Sequence, residues 1–239
     1  MVTALVLGVA SAPSAQAADP ITDKYNALGG SRSFLGSPTS STYTTPGGGQ
    51  ARNYQGGSIY WSPSTGAWSV RGLIHDQYRT LGGPGGPLGY PTTDETTPPD
   101  GVGRFNHFAG SGGASIYWTP NTGAHGVYGA IRARWSALGW ERGPLGYPAT
   151  DENRTPDGLG RYNHFAGSNG GSVYWTSSTG AHALYGDIRA RWKALGWERS
   201  PLGYPTSDEY GITGGRRNDF VHGWITFWLS NGSIQVTYR

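Results

Sequence analysis

The sequence predicts an α+β tandem-repeat fold: four units, each a short helix, a Leu-Gly-x-Pro turn and a β-hairpin, closed into a propeller-like ring. Three observations predict it. The tetrapeptide recurs as Leu35-Gly-Ser-Pro38, Leu88-Gly-Tyr-Pro91, Leu145-Gly-Tyr-Pro148 and Leu202-Gly-Tyr-Pro205, at intervals of 53, 57 and 57 residues. Ile59-Tyr-Trp61, Ile116-Tyr-Trp118 and Val173-Tyr-Trp175 keep step with it, and Ile225-Thr-Phe227 takes the equivalent place in the last unit. Self-similarity at a fixed period of this length is the mark of a repeat architecture. The composition agrees, since 41 Gly and 16 Pro supply many turns while 10 Trp and 15 Tyr are too many large rings for a disordered chain.

Each element of a unit has its own warrant. Ile131, Trp135 and Leu138 fall at i, i+4 and i+7, one face of a short helix. Gly139 follows, where glycine ends a helix in a left-handed conformation. Ile21, Tyr25 and Leu28, then Ile74, Tyr78 and Leu81, then Ile188, Trp192 and Leu195 repeat the pattern. The Leu-Gly-x-Pro turn comes next, then a Gly/Pro/Asp-rich loop, then a strand ending in Ile-Tyr-Trp. A turn at Thr122-Gly123 reverses the chain toward Val127 and makes a hairpin.

No such unit buries its own apolar face, because an isolated hairpin is marginal and ordering each residue costs roughly 1–2 kcal/mol. Neighbouring units must share a core. The first helix has no strand before it and the last strands have no helix after them. These complementary half-units predict that the ends meet and close the ring. The rings at Tyr25, Tyr78, Trp135 and Trp192, and at Trp61, Trp118, Trp175 and Phe227, stay aromatic in every unit and are expected in the core. Trp140 and Trp197 share their place with Gly30 and Gly83, so they are not core and are candidate ligand contacts.

The first 17 residues read as a secretory signal. Val2 to Ala10 is an apolar run too short to span a bilayer, and Ala15-Gln16-Ala17 supplies the small-residue cleavage pattern. A basic residue normally opens such a signal, and the first one here is Lys24, which suggests that real residues precede Met1. The mature chain, residues 18–239, is then one repeat domain with units over about 21–73, 74–130, 131–187 and 188–239. A secreted location, no membrane span and a monomer are the expectations. The chain has no cysteine, so no disulfide framework holds it. Its net charge of +3 is spread without a basic run, which excludes the usual nucleic-acid footprint.

No Gly-x-Ser-x-Gly elbow, no His-Glu-x-x-His and no phosphate-binding glycine loop occurs, and His107 and His164 stand singly in places that Asn53 and Asp219 fill elsewhere. No cofactor, metal or catalytic residue is assigned. The carboxylate pairs Asp94-Glu95, Asp151-Glu152 and Asp208-Glu209 each follow a Leu-Gly-Tyr-Pro turn by three residues. Adjacent residues of an extended segment point to opposite faces, so one pair does not converge on one sugar bond as a glycosidase requires. Turn or arginine partners and sugar or cation binding both remain open for them.

The repeated Leu-Gly-Tyr-Pro, the downstream Asp-Glu and the Ile-Tyr-Trp strand make the chain similar to the LGFP repeat family, over roughly Ile21 to Arg239. Tyr90, Tyr147 and Tyr204 stand where that signature has Phe, and Ser37 stands there in the first copy, which also lacks the Asp-Glu pair. The resemblance implies an exported actinobacterial protein, in a family sometimes appended to mycolyltransferases or other hydrolases and thought to tether them to the cell wall. The expected function is therefore non-catalytic binding of a cell-wall polysaccharide, with a wall-acting enzyme as a further partner. A structural or adhesive protein-binding module and a glycan hydrolase are the alternatives. Candidate ligand-binding residues are Trp140, Trp197, Tyr90, Tyr147, Tyr204, Asp94, Glu95, Asp151, Glu152, Asp208 and Glu209. Linked equivalent sites gain avidity of roughly 10²–10⁴ without new contacts, so a repeated polymer suits a repeated protein.

Overall fold

The four predicted helices form, and each stops at its glycine. They are α1 (Pro20–Ala27), α2 (Gly72–Thr80), α3 (Gly129–Ala137) and α4 (Gly186–Leu195). Gly29, Gly82, Gly139 and Gly196 follow with φ of +104°, +93°, +94° and +103°, a left-handed conformation that a β-carbon disfavours. The structure, a computed structural model, describes residues 19–239. The secretory signal expected over 1–17 lies outside the described residues. Asp19 caps α1, accepting the Ile21 amide at 3.2 Å.

The strand content is larger than a hairpin. The first unit builds β1 (Tyr43–Thr45), β2 (Gly49–Tyr54), β3 (Gly57–Ser62) and β4 (Gly66–Arg71), an antiparallel meander. The second has three strands, β5 (Arg104–Phe108), β6 (Ala114–Thr119) and β7 (Gly123–Tyr128), with a single bridge from Thr96 to Phe105 at its outer edge. The third adds β8 (Asn153–Arg154), β9 (Gly160–Phe165), β10 (Gly171–Thr176) and β11 (Gly180–Tyr185). The fourth adds β12 (Tyr210–Ile212), β13 (Gly215–Phe220), β14 (Gly223–Trp228) and β15 (Ile234–Tyr238). The expected hairpin is the last two strands of each meander. The strand before it falls where the sequence predicts a loop, because its buried position holds a polar residue, Asn106, Asn163 or Asn218, which hides the apolar alternation.

Helices and sheets interleave. One core cluster joins α1 to the first sheet through Ile21 and Ile59. The next joins the other face of that sheet (Ala51, Tyr60, Val70) to α2 (Ile74, Tyr78) and to the second sheet (Phe108, Ile116). Tyr117, Val127, Ile131, Trp135 and Val173 continue the series, and Tyr174, Leu184, Ile188, Trp192 and Ile225 complete it. Inner sheets thus bury both faces, which explains the unbroken buried run Ala114-Ser115-Ile116-Tyr117 in β6.

Two expectations are corrected. The ring does not close: the four sheets are separate, and among the described residues no core cluster contains both the first and the last. Complementary half-units are not sufficient, because the joints between units depend on side chains that the first unit lacks, as shown below. The strand rings at Trp61, Trp118, Trp175 and Phe227 are also only partly buried. The fully buried place on that face is two residues earlier, at Ile59, Ile116, Val173 and Ile225, and the ring sits at the rim. On the helices the expectation holds for Tyr78, Trp135 and Trp192, all fully buried, while Tyr25 is partly exposed.

Candidate functional site

The joint between units is made by the carboxylate pair and its neighbours. An outermost strand presents backbone groups that nothing in its own sheet pairs. In β4, β7 and β11 the residues concerned are Ser69, Gly126 and Ala183, and the next unit satisfies both groups of each. Asp94 accepts the Ser69 amide at 2.9 Å, Asp151 the Gly126 amide at 2.8 Å and Asp208 the Ala183 amide at 2.8 Å. Asn106, Asn163 and Asn218 donate to the carbonyls of the same three residues at 3.1, 3.0 and 3.1 Å. The second oxygen of each Asp accepts from the helix of the unit before: from Lys24 on α1 for Asp94, from Gln77 on α2 at 2.7 Å for Asp151 and from Arg134 on α3 at 2.8 Å for Asp208.

Electrostatics follow this geometry. Burial pushes the Asp208 carboxyl up, but the nearby His182 ring, the hydrogen bond from the Ala183 amide and Arg134 leave it below the usual aspartate value. His125 is raised by its contact with Asp151, against the effect of burial. The first unit has Ser41 and Arg52 at the places of the Asp and Asn. It therefore offers no such joint to Val236, the residue of β15 equivalent to Ala183, and this is why the half-units do not close a ring.

Tyrosines of the turn make a second joint. The Tyr90 hydroxyl meets Thr45 and donates to the Pro46 carbonyl, both at 2.6 Å. Tyr147 donates to Asp100 at 2.7 Å, and Tyr204 donates to Asp157 at 2.6 Å. All three rings reach the unit before their own. Trp140 and Trp197 lie half-buried over the aromatic rows of the preceding units' sheets, stacked on Tyr117 and Tyr174 with centroids 6.3 and 5.9 Å apart. The guanidinium groups of Arg132 and Arg189 lie over the Trp140 and Trp197 rings, 4.9 and 5.2 Å from the centroids. Both tryptophans have positive φ, +57° and +59°, matching +59° at Gly30 and +56° at Gly83. The place that holds either Trp or Gly is a left-handed one.

Glu95 and Glu152 face the other way, each into a cleft between units. The first cleft, about 590 Å³, lies between β4 with the start of α2 and the next unit's β5 and β6. Trp118, Arg104, Arg71 and Glu95 line it, and Leu73 and Val102 are more than half exposed at its rim. The second, about 340 Å³, repeats it with Trp175, Arg161, Tyr128 and Glu152. Both volumes are in the range of small-ligand pockets. Sheet register fixes the central pair: Arg104 lies opposite Trp118 and Arg161 opposite Trp175, so ring and guanidinium are cross-strand neighbours. In the fourth unit Arg216 lies opposite Phe227, while the first unit has Gln50 opposite Trp61. Burial pushes the Glu152 carboxyl up to about 7, with Arg161 and Tyr128 pulling against it, and burial raises Glu209 against the pull of Arg216.

The sequence profile of the LGFP repeat matches four consecutive segments, residues 35–86, 88–143, 145–200 and 202–237. The chain belongs to the LGFP repeat family. No curated protein matches it. Each LGFP segment begins at the tetrapeptide, so it joins a turn to its sheet, and the first three also take in the helix that follows.

In this LGFP protein the tetrapeptide's parts have separate tasks. Leu35, Leu88, Leu145 and Leu202 are fully buried, and Gly146 at φ +69° brings the chain so close to the amide of Gly167 that a β-carbon would stand 2.8 Å from it. Tyr in the Phe place adds a hydroxyl, and that hydroxyl makes the bond to the preceding unit. Of the candidate ligand residues, Glu95 and Glu152 line the clefts described. Arg104, Arg161, Trp118 and Trp175 are the cleft residues that sequence reasoning missed as contacts. The signal was present: Arg104 and Arg161 hold one repeat place, and each lies fourteen residues before a Trp.

Proposed function

We propose that this chain is a non-catalytic module that binds a cell-envelope polysaccharide and holds the secreted protein to the wall. One observation carries the reading: the same ring, guanidinium and carboxylate recur at two successive unit boundaries, in open clefts of small-ligand size. Apolar walls with a few placed polar groups are what a bound small molecule or sugar residue needs. Repetition along one stack suits a polymer, since each added site raises avidity. A non-catalytic role is supported by the split of the carboxylate pairs. Asp151 turns to Gly126 and Gln77 while Glu152 turns to the cleft, so the cleft receives one carboxylate of the pair, whereas glycoside hydrolysis uses two flanking the bond.

The test is co-sedimentation of the protein with purified actinobacterial wall, before and after its polysaccharide is stripped by mild acid. Pelleting that disappears on stripping supports the reading, and no pelleting with either preparation contradicts it. The exposed Leu73 and Val102 at the first cleft favour a second reading, docking of a wall-acting enzyme or another protein. Pelleting that survives stripping and is lost on protease treatment of the wall selects that one.

A further inference from the structure

The three unit boundaries carry one arginine place in three different states. At the first, Glu95 Oε1 is taken by Arg71, whose Nη2 and Nε donate at 2.7 and 3.0 Å. Arg104 stands 3.9 Å from that oxygen and gives one hydrogen bond, from Nη1 to the Gly103 carbonyl at 2.6 Å. Among the described residues, four of its five N–H donors have no hydrogen-bond partner. At the second boundary Arg161 is exposed beside Glu152, and among the described residues its guanidinium has no ion pair or hydrogen bond. At the third, Arg216 is paired with Glu209 and donates to the Tyr185 hydroxyl at 3.3 Å. The place is the same in all three, yet the guanidinium is unspent in two and committed in one.

An unspent guanidinium next to an indole is a recognisable combination. The planar fork matches a carboxylate or phosphate with two parallel bonds. The indole of Trp118 or Trp175, its cross-strand neighbour, offers a flat apolar face at the same depth. The first cleft holds two arginines against one glutamate, an excess of positive charge. We infer that the first and second clefts bind acidic saccharides. A sugar ring lies on Trp118 or Trp175, its carboxylate or phosphate is held by Arg104 or Arg161, and the third boundary takes no such group. This inference rests on the polysaccharide reading and narrows it to anionic polymers.

The experiment titrates the full chain with three probes of equal length: trigalacturonate, a glycerol-phosphate trimer and neutral galactotriose. Tryptophan fluorescence and calorimetry are the readouts. One charge-assisted hydrogen bond is worth about tenfold or more in affinity, so at least one acidic probe binds about tenfold tighter than the neutral one. Whichever acidic probe binds tighter identifies carboxylate or phosphate as the group held. The R104Q/R161Q double variant loses the preference, and R216Q keeps it, although both lower the net charge. Both substituted side chains in the double variant are exposed, so its thermal midpoint stays that of the parent.

Equal binding of neutral and acidic probes overturns the inference, and so does an R216Q variant weakened as much as the double variant. The broader reading fails separately. Wall pelleting by a chain that ignores all acidic probes leaves polysaccharide binding standing and removes this inference. Tight binding of an acidic probe without wall pelleting does the reverse.

Discussion

Asp151 accepts the amide of Gly126 at 2.8 Å, across the boundary between the second and third units. Asn163 takes the carbonyl of the same glycine at 3.0 Å. Two side chains thus do for one edge residue what a neighbouring strand would do, and they also end the sheet there. Three boundaries are built this way. The carboxylate pair is divided between two tasks as a result, with Asp joining units and Glu facing the cleft.

Removing the aspartate tests that joint. Asp151→Ala leaves the Gly126 amide and the Gln77 amide group without their acceptor, and is expected to cost about 1–3 kcal/mol in urea denaturation. Combined with Asn163→Ala in a double-mutant cycle, it should show coupling of roughly 0.5–3 kcal/mol, because both bond to one residue. Strict additivity would mean that the two act independently.

Trp140 separates ring from backbone. Its φ of +57° costs a non-glycine residue about 1–2 kcal/mol, and its ring stacks on Tyr117 and meets Trp135 edge-on at 5.1 Å. Trp140→Ala loses the ring and keeps the strain. Trp140→Gly loses the ring and relieves the strain, as Gly30 and Gly83 do in the same place. Both variants are expected to be less stable than the parent, with the glycine form the more stable of the two by about 1 kcal/mol. The reverse order would show that the left-handed backbone is not maintained in solution.

Acid lability comes from two histidines. Burial, with Arg132 and Arg189 adjacent, pushes His107 and His164 down from 6.5 to about 4. Between those values the folded chain binds fewer protons than the unfolded one, so their contribution is complete above pH 6.5 and is lost as pH falls toward 4. Glu152, raised to about 7, has the opposite slope and is common to both proteins compared. In the first unit Asn53 fills the place and accepts the Ser58 hydroxyl at 2.8 Å, so the H107N/H164N variant fits the site. Its urea midpoint should fall less between pH 7 and pH 4.5 than that of the parent.

The leucine of the turn is a core residue in every unit. Leu202→Ala should cost about 2–5 kcal/mol, since the side chain is fully buried. Leu159, 72% exposed on a loop, should tolerate Ser within about 0.5 kcal/mol. Thermal or urea unfolding of the two variants checks both values.

How far the sequence could be read depends on where each signal lies. The helix faces, the glycines that end them and the buried leucines are local, and residues within eight positions of each other announce them. The strand Arg104–Phe108 was not legible, because its inward place is Asn106, chosen for a bond to Ser69, which lies 37 residues away. The joint between Gln77 and Asp151 spans 74 residues and leaves no periodic trace. The clefts were hidden for the same reason. Arg104 and Trp118 meet only through strand register, and Trp118 looked like core because every unit keeps a ring there. Ring closure failed as an expectation because the half-units match in outline while Ser41 and Arg52 remove the joint's chemistry.

The most direct test of polysaccharide binding at the clefts is the indole N–H spectrum of the 15N-labelled protein, recorded during titration with solubilised wall polysaccharide. Substitution of each Trp by Phe assigns the signals. The account predicts that Trp118 and Trp175 shift while the buried Trp135 and Trp192 stay in place. Binding that moves other indoles and leaves Trp118 and Trp175 unchanged would contradict it, as would a spectrum that does not move at all.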